Sequence, residues 1–195
     1  MEKYKGKYRL ESARLRHWDY GTAAMYFITI NTQDRLPHFG VIEDGKIQLS
    51  EIGEIVKAEW EKTFELRPDM NLFMGEYGVM PDHFHAIIGI GENGFNTNNG
   101  TRRDAMPRVS EIPSQTPISN IDVANAFGPQ SKNLAAILRG FKSSVTIKAR
   151  GVNPGFQWQS RYHDHIIRSY MSFERITEYI VNNPENWPED HFRLE

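Results

Sequence analysis

The chain has 195 residues, 39% of them hydrophobic and 12% aromatic, which is enough apolar material for a folded core and unlike a disordered chain. It contains no cysteine, so disulfides, thiolate metal centres and a cysteine nucleophile are excluded. The formal net charge of -2 does not advertise a polyanion binder, and no apolar run approaches a membrane-spanning helix. The charged start Met1–Tyr8 is not followed by the apolar stretch of a signal peptide. One domain in the cytoplasm, with no membrane partner, is therefore the expectation.

The distribution of charge is more informative than its sum. Basic residues gather in 1–16 and again in 139–168, while acids gather in 174–195. One face can then meet a polyanion while the whole molecule stays near neutral, although ordinary surface scatter explains the same pattern.

Met25–Thr32 is rich in aromatic and β-branched residues and predicts a buried strand. Phe39–Ser50 predicts a hairpin turning at Asp44-Gly45. Ser50 then caps a helix over about 51–65, with Glu54 favourably placed near its N-terminus and Ile52, Ile55, Val56, Trp60 and Phe64 at helical spacing. Asn71–Met80 and His83–Ile90 read as two strands. Only Pro81 and Asp82 separate them, so they pair antiparallel through a tight turn. Residues 91–130 are dominated by Asn, Gly, Thr, Ser and Pro without an apolar period. They read as a long polar loop inserted in the domain, more in keeping with an unstructured segment than with a lid. Leu134, Ile137, Leu138, Phe141, Val145 and Ile147 restore helical spacing over about 132–150. After a turn at Asn153-Pro154-Gly155, a strand is expected at His163–Arg168. A last helix follows, capped by Ser172, containing Phe173, Ile176, Tyr179 and Ile180, and ended by Asn182-Asn183-Pro184. The order strand, helix, strand, strand, helix, strand, helix predicts an α+β, ferredoxin-like (split βαβ) antiparallel sheet. Helices cover one face and a C-terminal helix is added.

Residues i and i+2 of a strand share a face, so His83 and His85 project side by side with Phe84 opposite. Two neutral imidazoles so placed can share a metal ion, although a pair of histidines taken alone is more often structural. Tyr179 and Asn183 stand at i and i+4 on the last helix and share a helical face. A tyrosine hydroxyl can attack phosphorus, but a phenol ionises near pH ~10 and needs help at neutral pH. A metal cation supplies such help, and an amide oxygen such as that of Asn183 suits its shell. A plain packing role for Tyr179 beside Ile176 and Ile180 competes with this reading. Arg139 and Lys142 offer phosphate contacts next to Phe141, which reads as core. Trp158, Arg161 and Arg168 extend the mixture of aromatic and cation found at single-strand nucleic-acid surfaces.

The run Met80-Pro81-Asp82-His83-Phe84-His85-Ala86-Ile87 resembles the HUH motif of single-tyrosine transposases, in which U is a bulky apolar residue. Together with Trp158–Arg168 and Glu178–Pro184, in that order, it resembles the REP-associated tyrosine transposase branch over most of the chain outside 91–130. The resemblance implies His83 and His85 as ligands of magnesium or manganese, Asn183 as a candidate third ligand, and Tyr179 as nucleophile. It implies single-stranded or hairpin DNA as partner, cut and rejoined through a 5′-phosphotyrosine, with a homodimer among the possible assemblies. No phosphate-cradling P-loop is present in the sequence, so no nucleotide cofactor is expected. Three alternatives stay open at this point. They are a replication or conjugation nickase of the same chemistry, a hairpin-binding module without cleavage, and a hydrolase that activates water.

Overall fold

The computed structural model describes residues 3–4, 7–8, 15, 18–97 and 131–187. Two short strands, β1 (Lys3–Tyr4) and β2 (Lys7–Tyr8), pair with each other. The main sheet is built from β3 (Ala24–Asn31), β6 (Leu72–Met80), β7 (His83–Ile90) and β8 (His163–Ile167), in the order β6-β7-β3-β8 with every neighbour antiparallel. Two helices connect these strands, α1 (Glu51–Leu66) and α2 (Leu134–Val152), and α3 (Tyr170–Asn182) follows the last. This is the predicted split βαβ arrangement, with the two central strands donated from distant parts of the chain.

Between β3 and α1 stands the predicted hairpin, β4 (Gly40–Glu43) and β5 (Lys46–Leu49). Asp44 and Gly45 both take positive φ, 50° and 69°, the geometry that makes Asp-Gly a two-residue turn. Ser50 caps α1 by accepting from the Gly53 N–H, as expected. The last helix starts earlier than the sequence suggested. Ser169, not Ser172, is its cap: Ser169 is extended and its hydroxyl accepts from the Ser172 N–H. The apolar period begins only at Phe173, so the pattern misses the exposed first turn. Of the long polar loop only 91–97 falls within the described residues. There the side chains of Asn93 and Asn96 hold the carbonyls of Met70, Gly21 and Gly91.

The sheet is covered on both faces. Tyr26, Ile28, Ile30, Phe84, Ala86, Ile88 and Ile90 point to one side and pack against Val56 and Trp60 of α1 and Leu138, Phe141 and Val145 of α2. Phe27 and Ile87 point to the other side and meet Ile176 and Ile180 of α3. This is why β7 reads as a nearly continuous apolar run: all eight of its residues are buried. Between α1 and α2 the carboxylate of Glu59 accepts from Ser144 and pairs with Lys148. Burial alone pushes the Glu59 carboxyl up, but those two partners outweigh it and hold it below the usual carboxylate range. The face under α3 has a much smaller core, of four buried side chains at roughly 1.5–3 kcal/mol each. That smaller face carries the candidate site.

Candidate active site

The site begins with the turn between β6 and β7. Met80 pairs with His83, leaving Pro81 and Asp82 as the two turn residues. Their carbonyls are pinned from outside the hairpin. Phe39 N–H donates to Pro81 at 2.9 Å, and Thr32 donates to Asp82 through both its N–H and its hydroxyl, each at 2.9 Å. The Asp82 carboxylate is then fixed between two partners. One oxygen lies 2.8 Å from His83 Nδ1 and the other 2.8 Å from Arg35 Nε. A carboxylate at Nδ1 favours the tautomer with its proton there and presents the Nε2 lone pair outward, the usual support for a metal-binding histidine.

His85 follows on the same face, with ring centroids 5.1 Å from His83, and is fully buried. Neither of its ring nitrogens has a hydrogen-bond partner. Burial, and then the charge of His83, hold its pKa well below the ordinary imidazole value, so it stands neutral. Room for the ring comes from Gly78 on the neighbouring strand, directly opposite His85 in the ladder: a Cβ there would lie 2.5 Å from His85 Nε2.

From above, α3 supplies Tyr179, half-buried, with its ring 5.5 Å from that of His85 and 6.1 Å from that of Phe27. One turn later Asn183 is buried, and its side-chain oxygen has no partner. Asn183 precedes a proline, which disfavours helical backbone, yet its φ of -58° and ψ of -41° keep it helical and on the face of Tyr179. Beyond it, Trp187 stacks on His83 at 5.9 Å.

Buried polar atoms without partners are rare and costly. Among the described residues the two nitrogens of His85 and the oxygen of Asn183 are of this kind, as are single atoms of Trp60 and Thr177. Imidazole nitrogen with amide oxygen is a donor set that suits a divalent cation such as manganese. Among the described residues no group of three or more His, Cys, Asp or Glu is placed to hold a metal.

The structure therefore brings His83, His85 and Tyr179 together, and Asn183 stands one turn beyond Tyr179 on α3. Of the predicted DNA contacts, Arg139, Lys142 and Trp158 lie elsewhere, while Arg168 follows β8 on the site's own sheet. Arg139 and Lys142 line a groove of about 720 Å³ on the outer side of α2, with Arg150, Gln157, Trp158 and Tyr162. Lys142 turns inward, its ammonium 2.9 Å from the carbonyls of Gln159 and Arg161. Trp158 is half-buried against Phe39, Phe141 and Phe156 and donates to the Lys142 carbonyl. Arg161 is exposed in the left-handed region at φ 74°, and Arg168 is exposed just beyond β8. Sequence reasoning missed Arg35, Gly78, Asp82 and Trp187. Gly78 was recoverable, because a two-residue turn fixes the register that sets it against His85. Arg35 and Trp187 meet His83 and its carboxylate only through the tertiary fold.

No protein-family model matches the chain. An uncharacterized protein of Haemophilus influenzae is 31% identical over 191 residues, covering 97% of this chain and 96% of that one. The two belong to one family. Among solved structures, that of the REP-associated tyrosine transposase bound to a REP hairpin superposes with a TM-score of 0.54. It covers 91% of this chain and 74% of its own, at 19% identity. The likeness establishes a shared fold, that of the transposase predicted from the two motifs. A Deinococcus radiodurans protein covers 88% of this chain at a TM-score of 0.38 and 14% identity, too loose a likeness to carry an argument.

Proposed function

We propose that this chain is a metal-dependent transposase-type nuclease that cuts and rejoins single-stranded or hairpin DNA through Tyr179. The observation that carries the reading is the meeting of Tyr179 with His85, with the buried, unpartnered oxygen of Asn183 one turn further along the same helix. The fold shared with a transposase solved on a REP hairpin supports DNA as the partner.

His83, His85 and Asn183 would hold a magnesium or manganese ion. When bound, such an ion stabilises negative charge on the phosphate and on a phenolate. Asp82 keeps His83 in the ligating tautomer, and Arg35 holds Asp82 in turn. Tyr179 supplies the nucleophile. Its Oη forms a bond to phosphorus as the bond to the 3′-oxygen breaks; the phenolic proton passes to solvent and the 3′-oxygen leaves as a hydroxyl after taking one up. In the return step a 3′-hydroxyl attacks the phosphotyrosine and Oη leaves. The count of phosphodiester bonds is unchanged, so no nucleotide triphosphate is consumed.

The test is incubation with a 3′-labelled DNA hairpin carrying single-stranded flanks, in manganese, followed by denaturing electrophoresis. A protein–DNA adduct is expected, absent with EDTA and absent in Tyr179→Phe. An adduct that survives in Tyr179→Phe transfers the role to another tyrosine. Tight hairpin binding with no adduct in any metal makes the chain a binding module instead.

A further inference from the structure

The sequence carries a second pair of alternating histidines, His163-Asp164-His165, that the proposed chemistry does not use. They form the start of β8, the strand at the open edge of the sheet. The register fixes which way they point. Thr29 of β3 pairs with His85 on one side and with His163 on the other, and Phe27 pairs with Ile87 on one side and with His165 on the other. Directly opposed residues share a face. His163 and His165 therefore lie on the same side of the sheet as His85, in the rows of His85 and Ile87, the side on which α3 carries Tyr179. Asp164, opposite Ile28, points to the side of α1 and α2.

Among the described residues α3 sits mainly over β6 and β7, and of β8 only Ile167 packs against its core. His163 is exposed and His165 partly so. The flank of α3 that borders β8 carries Tyr179 and, one turn before it, the exposed Arg175. Arg168 stands just beyond the end of β8. Burial, and then the neighbouring His163, Arg168 and Arg175, hold His165 below its ordinary pKa, while Asp164 acts the other way. Of the α3 carboxylates, Glu174 accepts from the hydroxyl of Tyr170, and Glu178 is exposed beside Tyr179. Two arginines beside two imidazoles repel a metal cation and attract an anion. Arg175 and Tyr179 are about 6 Å apart along the helix axis. At roughly 3.4 Å per nucleotide that spans one to two nucleotides of a strand.

We propose that the trough between β8 and the Arg175–Tyr179 flank of α3 binds the phosphodiester backbone of the strand next to the bond that Tyr179 attacks. Arg168, Arg175, His163 and His165 are the contacting side chains. The inference rests on Tyr179 as the nucleophile and assigns the path of its substrate. Specificity for bases is not asked of these groups; they are point contacts that hold register. The trough is distinct from the groove on the outer side of α2, which lies beyond the opposite face of the sheet.

Strand binding is measured with fluorescein-labelled oligo-dT and with a flanked hairpin, using Tyr179→Phe protein as the parent so that no cleavage intervenes. Affinity is followed against potassium chloride concentration. Each of Arg168→Ala and Arg175→Ala is expected to weaken binding and to lower the slope of log K against log salt by about 0.7, the value for one phosphate contact on a single strand. Arg175→Lys is expected to restore the slope, and His163→Ala with His165→Ala to weaken both oligonucleotides alike. Circular dichroism and melting verify that each variant is folded. Folded Arg168→Ala and Arg175→Ala proteins with the affinity and slope of the parent overturn the proposal. Adduct formation by the unsubstituted protein reports on the cleavage chemistry, while this binding assay reports on the trough. Failure of either is therefore read separately.

Discussion

Replacing Gly78 by alanine tests the packing that makes the histidine pair usable. The added Cβ would sit 2.5 Å from His85 Nε2 and 2.9 Å from its Cδ2, with Ile180 at 3.5 Å. Ordinary carbon contacts begin near ~3.5 Å, so the overlap is about 1 Å. His85 has little room to yield: it is fully buried, with Tyr179, Phe27 and His83 around its ring. Overpacking of this kind costs about 1–3 kcal/mol, more than the fraction of a kcal/mol that alanine gains over glycine in chain entropy. For a chain of this length that is a drop of roughly 2–12 °C in Tm. The ring also has to turn, which displaces a ligand. Manganese at 100 times its Kd is expected to stabilise the parent by about 2.7 kcal/mol, and a tenfold loss of affinity leaves about 1.4 kcal/mol at the same concentration. The assay is thermal melting with and without manganese. Gly140→Ala is the contrast, because an added Cβ there meets nothing within 4 Å and the site is an exposed helix position. That variant is expected to gain about 0.5–1 kcal/mol. A Gly78→Ala protein that melts like the parent refutes the steric reasoning. One that melts lower but keeps the full manganese response refutes His85 as a ligand.

Asp82→Asn keeps the shape of the turn but loses the charge that orients His83 and pairs with Arg35, and is expected to weaken manganese binding about 10- to 100-fold by calorimetry while leaving the fold intact. Asn183→Ala removes a buried, unpartnered oxygen. It should cost little stability in the absence of metal and should reduce adduct yield at limiting manganese; an unchanged yield removes Asn183 from the ligand set. Glu59 sets the expected acid response of the helical layer. Its carboxyl is held below the usual range in the folded chain, so its stabilising contribution is full above the unfolded value of about 4.3 and is lost as pH falls through its folded value. Glu59→Gln is therefore expected to be less stable at pH 7 and to show a flatter loss between about pH 5 and 3 in urea titrations.

Much of the molecule is written in local pattern. The aromatic and β-branched run of β3, the Asp-Gly turn of the β4–β5 hairpin, the cap Ser50, and the two-residue turn at Pro81-Asp82 all follow from residues close in sequence. Those same rules place His83 beside His85 and Tyr179 beside Asn183, because periods of 2 and 3.6 are properties of the backbone. Period alone did not place the cap of α3, since its first turn buries nothing. Nor did the mixed aromatic and basic segments announce their surroundings: Lys142 and Trp158 read as surface groups and are tied to carbonyls and core rings. What only the tertiary structure decided is which pairs meet. Tyr179 reaches His85 because Phe27, Ile87, Ile176 and Ile180 dock α3 on the face opposite the other helices. Arg35 reaches Asp82, Trp187 covers His83, and His163 and His165 fall into the rows of His85 and Ile87 by strand order. Pairing across the sheet depends on long-range burial and register, and no local period in a single chain encodes it.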